Sequence, residues 1–176
     1  GGLFIQNEEG KFSRQLSPSI DSLAEDTGVL LFDADNDNDL DLYIVSGDTE
    51  QTGNAPIYQD RFYVNDGKGS FTSNQNALPV ETTSGSCVVA ADYDKDGDLD
   101  LFIGGRVTPA KYPMPAESFL LRNDSKNGIT QFVNVTSEII PDVHLSGMVS
   151  AALWSDYDND GWMDLIVTGE FLPIRF

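Results

Sequence analysis

The sequence predicts an all-β repeat fold, and three observations predict it. An acidic segment occurs three times, at 33–41, 92–100 and 156–164. Each copy is preceded by a short apolar run and followed by alternating apolar residues. A second, turn-containing motif recurs between the copies. Self-similarity at a period of this size is the signature of stacked supersecondary units. Aligned on Asp33, Asp92 and Asp156, the copies read FDADNDNDLDLYIVSG, ADYDKDGDLDLFIGGR and SDYDNDGWMDLIVTGE, at offsets of 59 and 64 residues.

The elements follow in chain order. The turn motif is LFIQNEEGKF at 3–12, RFYVNDGKGSF at 61–71 and FLLRNDSKNGITQF at 119–132, and Arg175-Phe176 resembles the start of a further copy. Asn-Asp-Gly-Lys-Gly at 65–69 predicts a hairpin, because glycine tolerates positive φ. Ser19–Asp26 reads as a loop or short helix. The apolar runs are Gly28–Phe32, Cys87–Ala91 and Ala151–Trp154. Small residues Gly28, Cys87 and Ala151 stand five positions before each first Asp, which predicts tight packing there. After each cluster the residues alternate. Leu40, Leu42 and Ile44 share one face, with Tyr43 and Val45 on the other; Leu99, Leu101 and Ile103, then Met163, Leu165 and Val167, repeat the pattern. Both faces are apolar, so burial on both sides is expected.

The unit is then about four antiparallel strands in some 60 residues, which stack around an axis as β-propeller blades. One repeat region, 1–176, divides into the last half of a preceding blade (1–26), a first repeat (27–85), a second (86–149) and the first half of a third (150–176). The expectation is a partial propeller, whose open blade edges invite self-association.

Composition narrows the function. The 176 residues carry a net charge of −19, which excludes a phosphate-binding basic face and so a nucleic-acid partner. No apolar run approaches a membrane span. Gly1-Gly2-Leu3-Phe4 does not read as a signal peptide. Of 29 acidic residues, five lie in 33–41, five in 92–100 and four in 156–164, each run leading straight into apolar sequence, unlike a disordered acidic tail. Cys87 is the only cysteine, read as a small buried apolar residue.

The loops carry the chemistry. Positions 1, 3, 5 and 9 are Asp in every copy: Asp33, Asp35, Asp37 and Asp41; Asp92, Asp94, Asp96 and Asp100; Asp156, Asp158, Asp160 and Asp164. Position 6 is Gly97 and Gly161, or Asn38, residues suited to a left-handed turn. Position 7 is Asp39, Asp98 or Trp162, which points to its main-chain carbonyl as the shared donor. A hard cation such as Ca²⁺ takes six to eight oxygens, and this set supplies five or more. Turn chemistry alone asks for one or two Asp or Asn, not four at fixed offsets. An EF-hand needs Glu at position 12 and flanking helices; position 12 here is Ile44, Ile103 or Val167 within apparent strands. Mg²⁺ prefers a smaller octahedral site, and Zn²⁺ wants clustered Cys or His.

The Asp-x-Asp-x-Asp-Gly-x-x-Asp-Leu loop with its following strand and hairpin resembles the FG-GAP/VCBS repeat family, carried by integrin alpha-subunit propellers and many bacterial secreted proteins. The resemblance implies a propeller of seven or so blades, with calcium held between the first two strands of a blade. It maps ligand positions onto Asp33, Asp35, Asp37, Asp39 and Asp41, onto Asp92, Asp94, Asp96, Asp98 and Asp100, and onto Asp156, Asp158, Asp160, Trp162 and Asp164. Asn38 and Trp162 depart from the pattern without removing a carboxylate.

Together these predict an extracellular or cell-surface module with up to three structural calcium ions, for adhesion or for binding a protein or carbohydrate ligand. The alternative is part of a secreted propeller enzyme acting on polysaccharide. No catalytic constellation supports it: His144 is the only histidine, in a polar loop, and no Gly-x-Ser-x-Gly occurs. Trp154, Trp162 and Tyr112 read as core or rim packing rather than a sugar site. Asn123 and Asn134 begin glycosylation sequons, relevant in a eukaryotic secreted protein. The Pro-rich connection 106–118 is the first place to look for partner contacts.

Overall fold

The computed structural model describes residues 2–15, 24–51, 55–141 and 147–175. Residues 19–23 of the predicted loop or short helix, and His144, lie outside the described residues; Asp26 already belongs to a strand.

Strands β1 (Leu3–Gln6) and β2 (Phe12–Gln15) form a separate hairpin. A four-stranded sheet follows in the order β3 (Asp26–Phe32), β4 (Asp41–Ser46), β5 (Arg61–Asn65), β6 (Phe71–Ser73). The second has the same order: β7 (Gly85–Ala91), β8 (Asp100–Gly105), β9 (Phe119–Asn123), β10 (Phe132–Asn134). The third holds β11 (Met148–Ser155), β12 (Asp164–Glu170) and β13 (Leu172–Arg175). Every pairing is antiparallel, and consecutive strands are neighbours. Arg175 stands opposite Val167 as Arg61 stands opposite Ile44, so the third sheet repeats the register of the first. Four-stranded sheets packed face to face make a partial β-propeller-like fold.

The alternation in each strand decides which neighbour it meets. On β7, Val88 and Ala90 join the core shared with the first sheet, while Cys87 and Val89 join the core shared with the third. On β8, Leu101 and Ile103 face the first sheet and Phe102 the third. The first core is knitted by Phe32, Phe62 and Phe132, with ring centroids 5.9 to 6.3 Å apart. Aromatic side chains bury the largest area per residue, and tilted pairs add to it. Small residues permit the close approach: a Cβ on Gly28 would sit 3.2 Å from the Cys87 Cα, and one on Gly104 only 2.6 Å from a Val149 methyl.

Burial on both faces holds for β8 and, in the first sheet, for Tyr43, Ile44 and Val45 of β4, but not for the first strands of the first and third sheets. Val29 (68 % exposed), Leu31 and Leu153 are not covered, because no other described sheet packs on the outer faces of the first and third sheets. Leu40 and Met163 are also exposed: the strands begin one residue later, at Asp41 and Asp164, so these two belong to the loops. Cys87 is half-buried rather than buried, and burial pushes its thiol up. The single-turn helix α1 (Thr136–Ile139) and the 3-10 turns Pro56–Tyr58 and Gln75–Ala77 were not expected; each is too short to show a period.

A recurring clip joins the sheets. The register slips once in each first strand, between Asp26 and Gly28, Gly85 and Cys87, and Val149 and Ala151. The residue left over is always a hydroxyl: Thr27, Ser86, Ser150. A bulge frees such a residue from the ladder. Thr27 Oγ1 faces Val45 O (3.3 Å) in its own sheet and Gly85 O (3.1 Å) in the next. Ser86 Oγ repeats this with Gly104 O (3.1 Å) and Val149 O (2.8 Å). Ser150 Oγ reaches Thr168 O at 3.3 Å. Ser86→Ala is expected to cost about 1–2 kcal/mol in urea unfolding, and Ser150→Ala less. Equal costs would show that the inter-sheet contact contributes nothing.

Candidate metal centre

Each acidic loop joins the first two strands of its sheet: 33–40 between β3 and β4, 92–99 between β7 and β8, 156–163 between β11 and β12. The loops are built by their own aspartates. Asp33 accepts the N–H groups of Asp37 and Asn38; Asp92 those of Asp96 and Gly97; Asp156 those of Asp160 and Gly161, all at 3.0 to 3.2 Å. The fifth carboxylate then accepts the seventh N–H: Asp39 to Asp37, Asp98 to Asp96, Trp162 to Asp160. Short acidic side chains bond their neighbouring backbone in this way and so shape turns. Position 6 is left-handed as expected, at Asn38 (φ 71°), Gly97 (96°) and Gly161 (86°). Position 4 is left-handed too, at Asn36, Lys95 and Asn159, which the sequence reading missed because lysine carries no such preference.

The ninth aspartate ties the loop to the sheet. Asp41 and Asp100 are buried, with exposures of 1 % and 0 %. Asp41 accepts Ala34 N–H and Asn65 N–H; Asp100 accepts Tyr93 N–H and Asn123 N–H. Asp164 accepts Tyr157 N–H. Beside Asp41 and Asp100 sits an asparagine of the third strand. Asn65 Nδ2 donates to Leu40 O at 3.0 Å, and Asn123 Nδ2 donates to Leu99 O at 3.2 Å and Ala34 O at 2.9 Å. The repeated Asn was visible in the sequence; its loop-bracing role was not.

Carboxylate oxygens converge in every loop. One oxygen each from Asp33, Asp35 and Asp37, from Asp92, Asp94 and Asp96, and from Asp156, Asp158 and Asp164 lie within 4.8 Å of one another. Asp41 and Asp100 stand outside these trios, and Asp160 outside the third. Two carboxylates about 5 Å apart repel by roughly 3 kcal/mol at an effective dielectric near 20. Burial, then the charges of neighbouring aspartates, raises the carboxyl pKa of Asp35 and Asp39. Asp94 is raised by burial and by Asp96. Burial pushes Asp41 up to about 6 and Asp100 up to about 7, against the N–H groups that lower them. Asp35 Oδ1 and Asp39 Oδ1 are buried and have no hydrogen-bond partner. Buried anionic oxygens left unpaired suit a hard cation, and loops without His or Cys do not suit zinc.

Residues 44–103 match the FG-GAP-like repeat family, from the middle of β4 to the same point of β8. The chain carries an FG-GAP-like repeat. No curated protein and no solved structure matches the chain significantly. The matched stretch contains the whole of the second acidic loop, and the same spacing of aspartates recurs in the first and third.

Other sequence candidates lie elsewhere in the chain. Trp154 is half-buried, its ring stacked on Tyr93 at 6.5 Å. Trp162 is exposed on the loop beneath Lys95 rather than packed in a core, because the loop has no covering layer. Tyr112 is also exposed, edge-on to Phe171. Asn123 is buried and bonded, so its sequon is closed off in the folded chain; Asn134 is exposed.

In excess chelator the chain is expected to become more stable as the pH falls from about 8 towards 5. A carboxyl with a raised folded pKa favours the fold most when protonated. Its share is complete below the unfolded value near 3.9 and is lost as pH rises through the folded value. That value is about 6 for Asp41 and about 7 for Asp100. Asp60, buried against Tyr43 and Ser46, is also pushed up to about 7 and acts in the same direction. Thermal midpoints across this range check it; a midpoint rising with pH in chelator contradicts it.

Proposed function

We propose that this chain is a calcium-stabilised, extracellular interaction module, with one structural Ca²⁺ in each acidic loop. The observation that carries the reading is the threefold convergence of carboxylate oxygens, with Asp35 Oδ1 buried and unpaired in the first trio and Asp39 Oδ1 buried and unpaired in the same loop. The first three aspartates would ligate in the first two loops, and Asp156, Asp158 and Asp164 in the third. The seventh main-chain carbonyl, of Asp39, Asp98 or Trp162, completes the set with the remaining carboxylates. The ion's chemistry is charge neutralisation: it removes the mutual repulsion that otherwise strains each loop. Calcium near its extracellular concentration fills even weak sites, which favours a secreted or surface setting. Among the described residues no helix is long and apolar enough to cross a membrane.

The ligand surface lies at the other end of the sheets. The acidic loops follow the ends of β3, β7 and β11, whereas a cleft of about 390 Å³ opens where those strands begin, lined by Thr27, Gly85 and Met148 with Asp48, Arg106, Tyr112 and Glu170. The Pro-rich connection supplies Arg106 and Tyr112, and both approach Glu170, at 3.7 and 3.4 Å. Charged groups beside an exposed ring suit a polar protein or carbohydrate ligand. Calorimetric titration with CaCl₂ tests the calcium reading. Three ions per chain are expected, and two after Asp33→Asn with Asp35→Asn. Absence of binding at millimolar calcium would reject it.

A further inference from the structure

Each acidic loop touches the next through the same two positions. Asn36 is fourth in the first loop, and its Nδ2–H donates to Oδ1 of Asp98, seventh in the second, at 2.6 Å. Lys95 is fourth in the second loop, and its Nζ lies 3.7 Å from the ring centroid of Trp162, seventh in the third. Both fourth residues have left-handed backbone, φ 61° and 64°, and both side chains reach forward to the following loop. Deeper contacts run along the same joints. Asn123 Nδ2 bridges Ala34 O of the first loop and Leu99 O of the second. Tyr93 of the second loop stacks on Trp154, which leads into the third.

We infer that Asn36 and Lys95 are positioning residues, each organising the ion site of the loop that follows, so that neighbouring sites fill cooperatively. The inference rests on the calcium reading above. Position seven is where that reading places a main-chain carbonyl ligand, and a side chain gripped from the neighbouring loop holds that residue still. Ordering a loop costs conformational entropy. A loop already ordered by its ion presents its fourth residue in place, so the next loop orders at smaller cost. Repulsion between the ions opposes this but is blunted, since the first two loops carry five aspartates each and stay anionic with one divalent ion bound. Coupling of this kind is reciprocal, so filling the later loop also favours the earlier one.

In a Trp154→Phe background Trp162 is the single tryptophan and reports the third loop, by the change of its fluorescence on calcium titration of the full chain. Disabling the second loop with Asp92→Asn and Asp94→Asn is expected to weaken calcium binding at the third by about threefold to fivefold. Lys95→Ala, which removes no carboxylate, is expected to weaken it as much, with no further loss when the two changes are combined. Charge alone predicts the opposite sign, since removing a cation beside an anionic site tightens calcium binding. Asn36→Ala, read by calorimetry, is expected to weaken the second loop similarly. Unchanged or tighter calcium binding in Lys95→Ala, with wild type still responding to calcium, overturns the coupling and leaves the calcium reading standing. No response of the wild type, by fluorescence or calorimetry, overturns both.

Discussion

Saturating calcium is expected to raise the thermal unfolding midpoint by roughly 15–30 °C over that in excess chelator. At 100 times the dissociation constant each ion adds about 2.7 kcal/mol, so three add about 8 kcal/mol. In a chain of this size each kcal/mol moves the midpoint by about 2–4 °C. The increment rivals the whole stability of an ordinary domain, about 5–15 kcal/mol. The physical source is local: crowded aspartates are relieved by one ion per loop, and in the first two loops the crowding and burial already raise carboxyl pKa values. Scanning calorimetry with and without chelator measures the shift, and coincident midpoints would remove calcium from the account.

Asn123→Ala is expected to destabilise the chain by about 3–5 kcal/mol, the largest single-residue effect outside the aromatic core. The side chain is 1 % exposed and donates to both Ala34 O and Leu99 O. Truncation leaves two carbonyls without that donor, and a buried group left unpaired costs about 1–3 kcal/mol. It also loses the contacts of Oδ1 with Ser125. Asn65→Ala, with its single carbonyl at Leu40 on the exposed rim, should cost about 1 kcal/mol. Urea unfolding of both variants gives the comparison. Equal losses would mean that the bridge between the first and second loops adds nothing.

The acidic loops were legible because their chemistry is local. Four aspartates at fixed offsets build the turn from their own neighbours, and a periodic pattern reports that without knowledge of the rest of the chain. The hydroxyl clip was not legible, although Thr27, Ser86 and Ser150 stand at one repeat position. Serine and threonine are common in strands, and only the carbonyl of a neighbouring sheet distinguishes these three. The left-handed fourth position escaped for a similar reason, since nothing local marks Lys95 for positive φ.

By itself the sequence determined the repeat, the strand–loop–strand grammar and the sets of carboxylates, because each depends on residues within a few positions of one another. The tertiary structure decided which aspartates converge and which brace the sheet, why Val29, Leu31 and Leu153 of the first strands stay uncovered, and how one loop grips the next. Those outcomes depend on groups some 60 residues apart brought within hydrogen-bond reach, as Asn36 and Asp98 are. Packing between whole sheets selects such pairs, and no spacing along the chain records it.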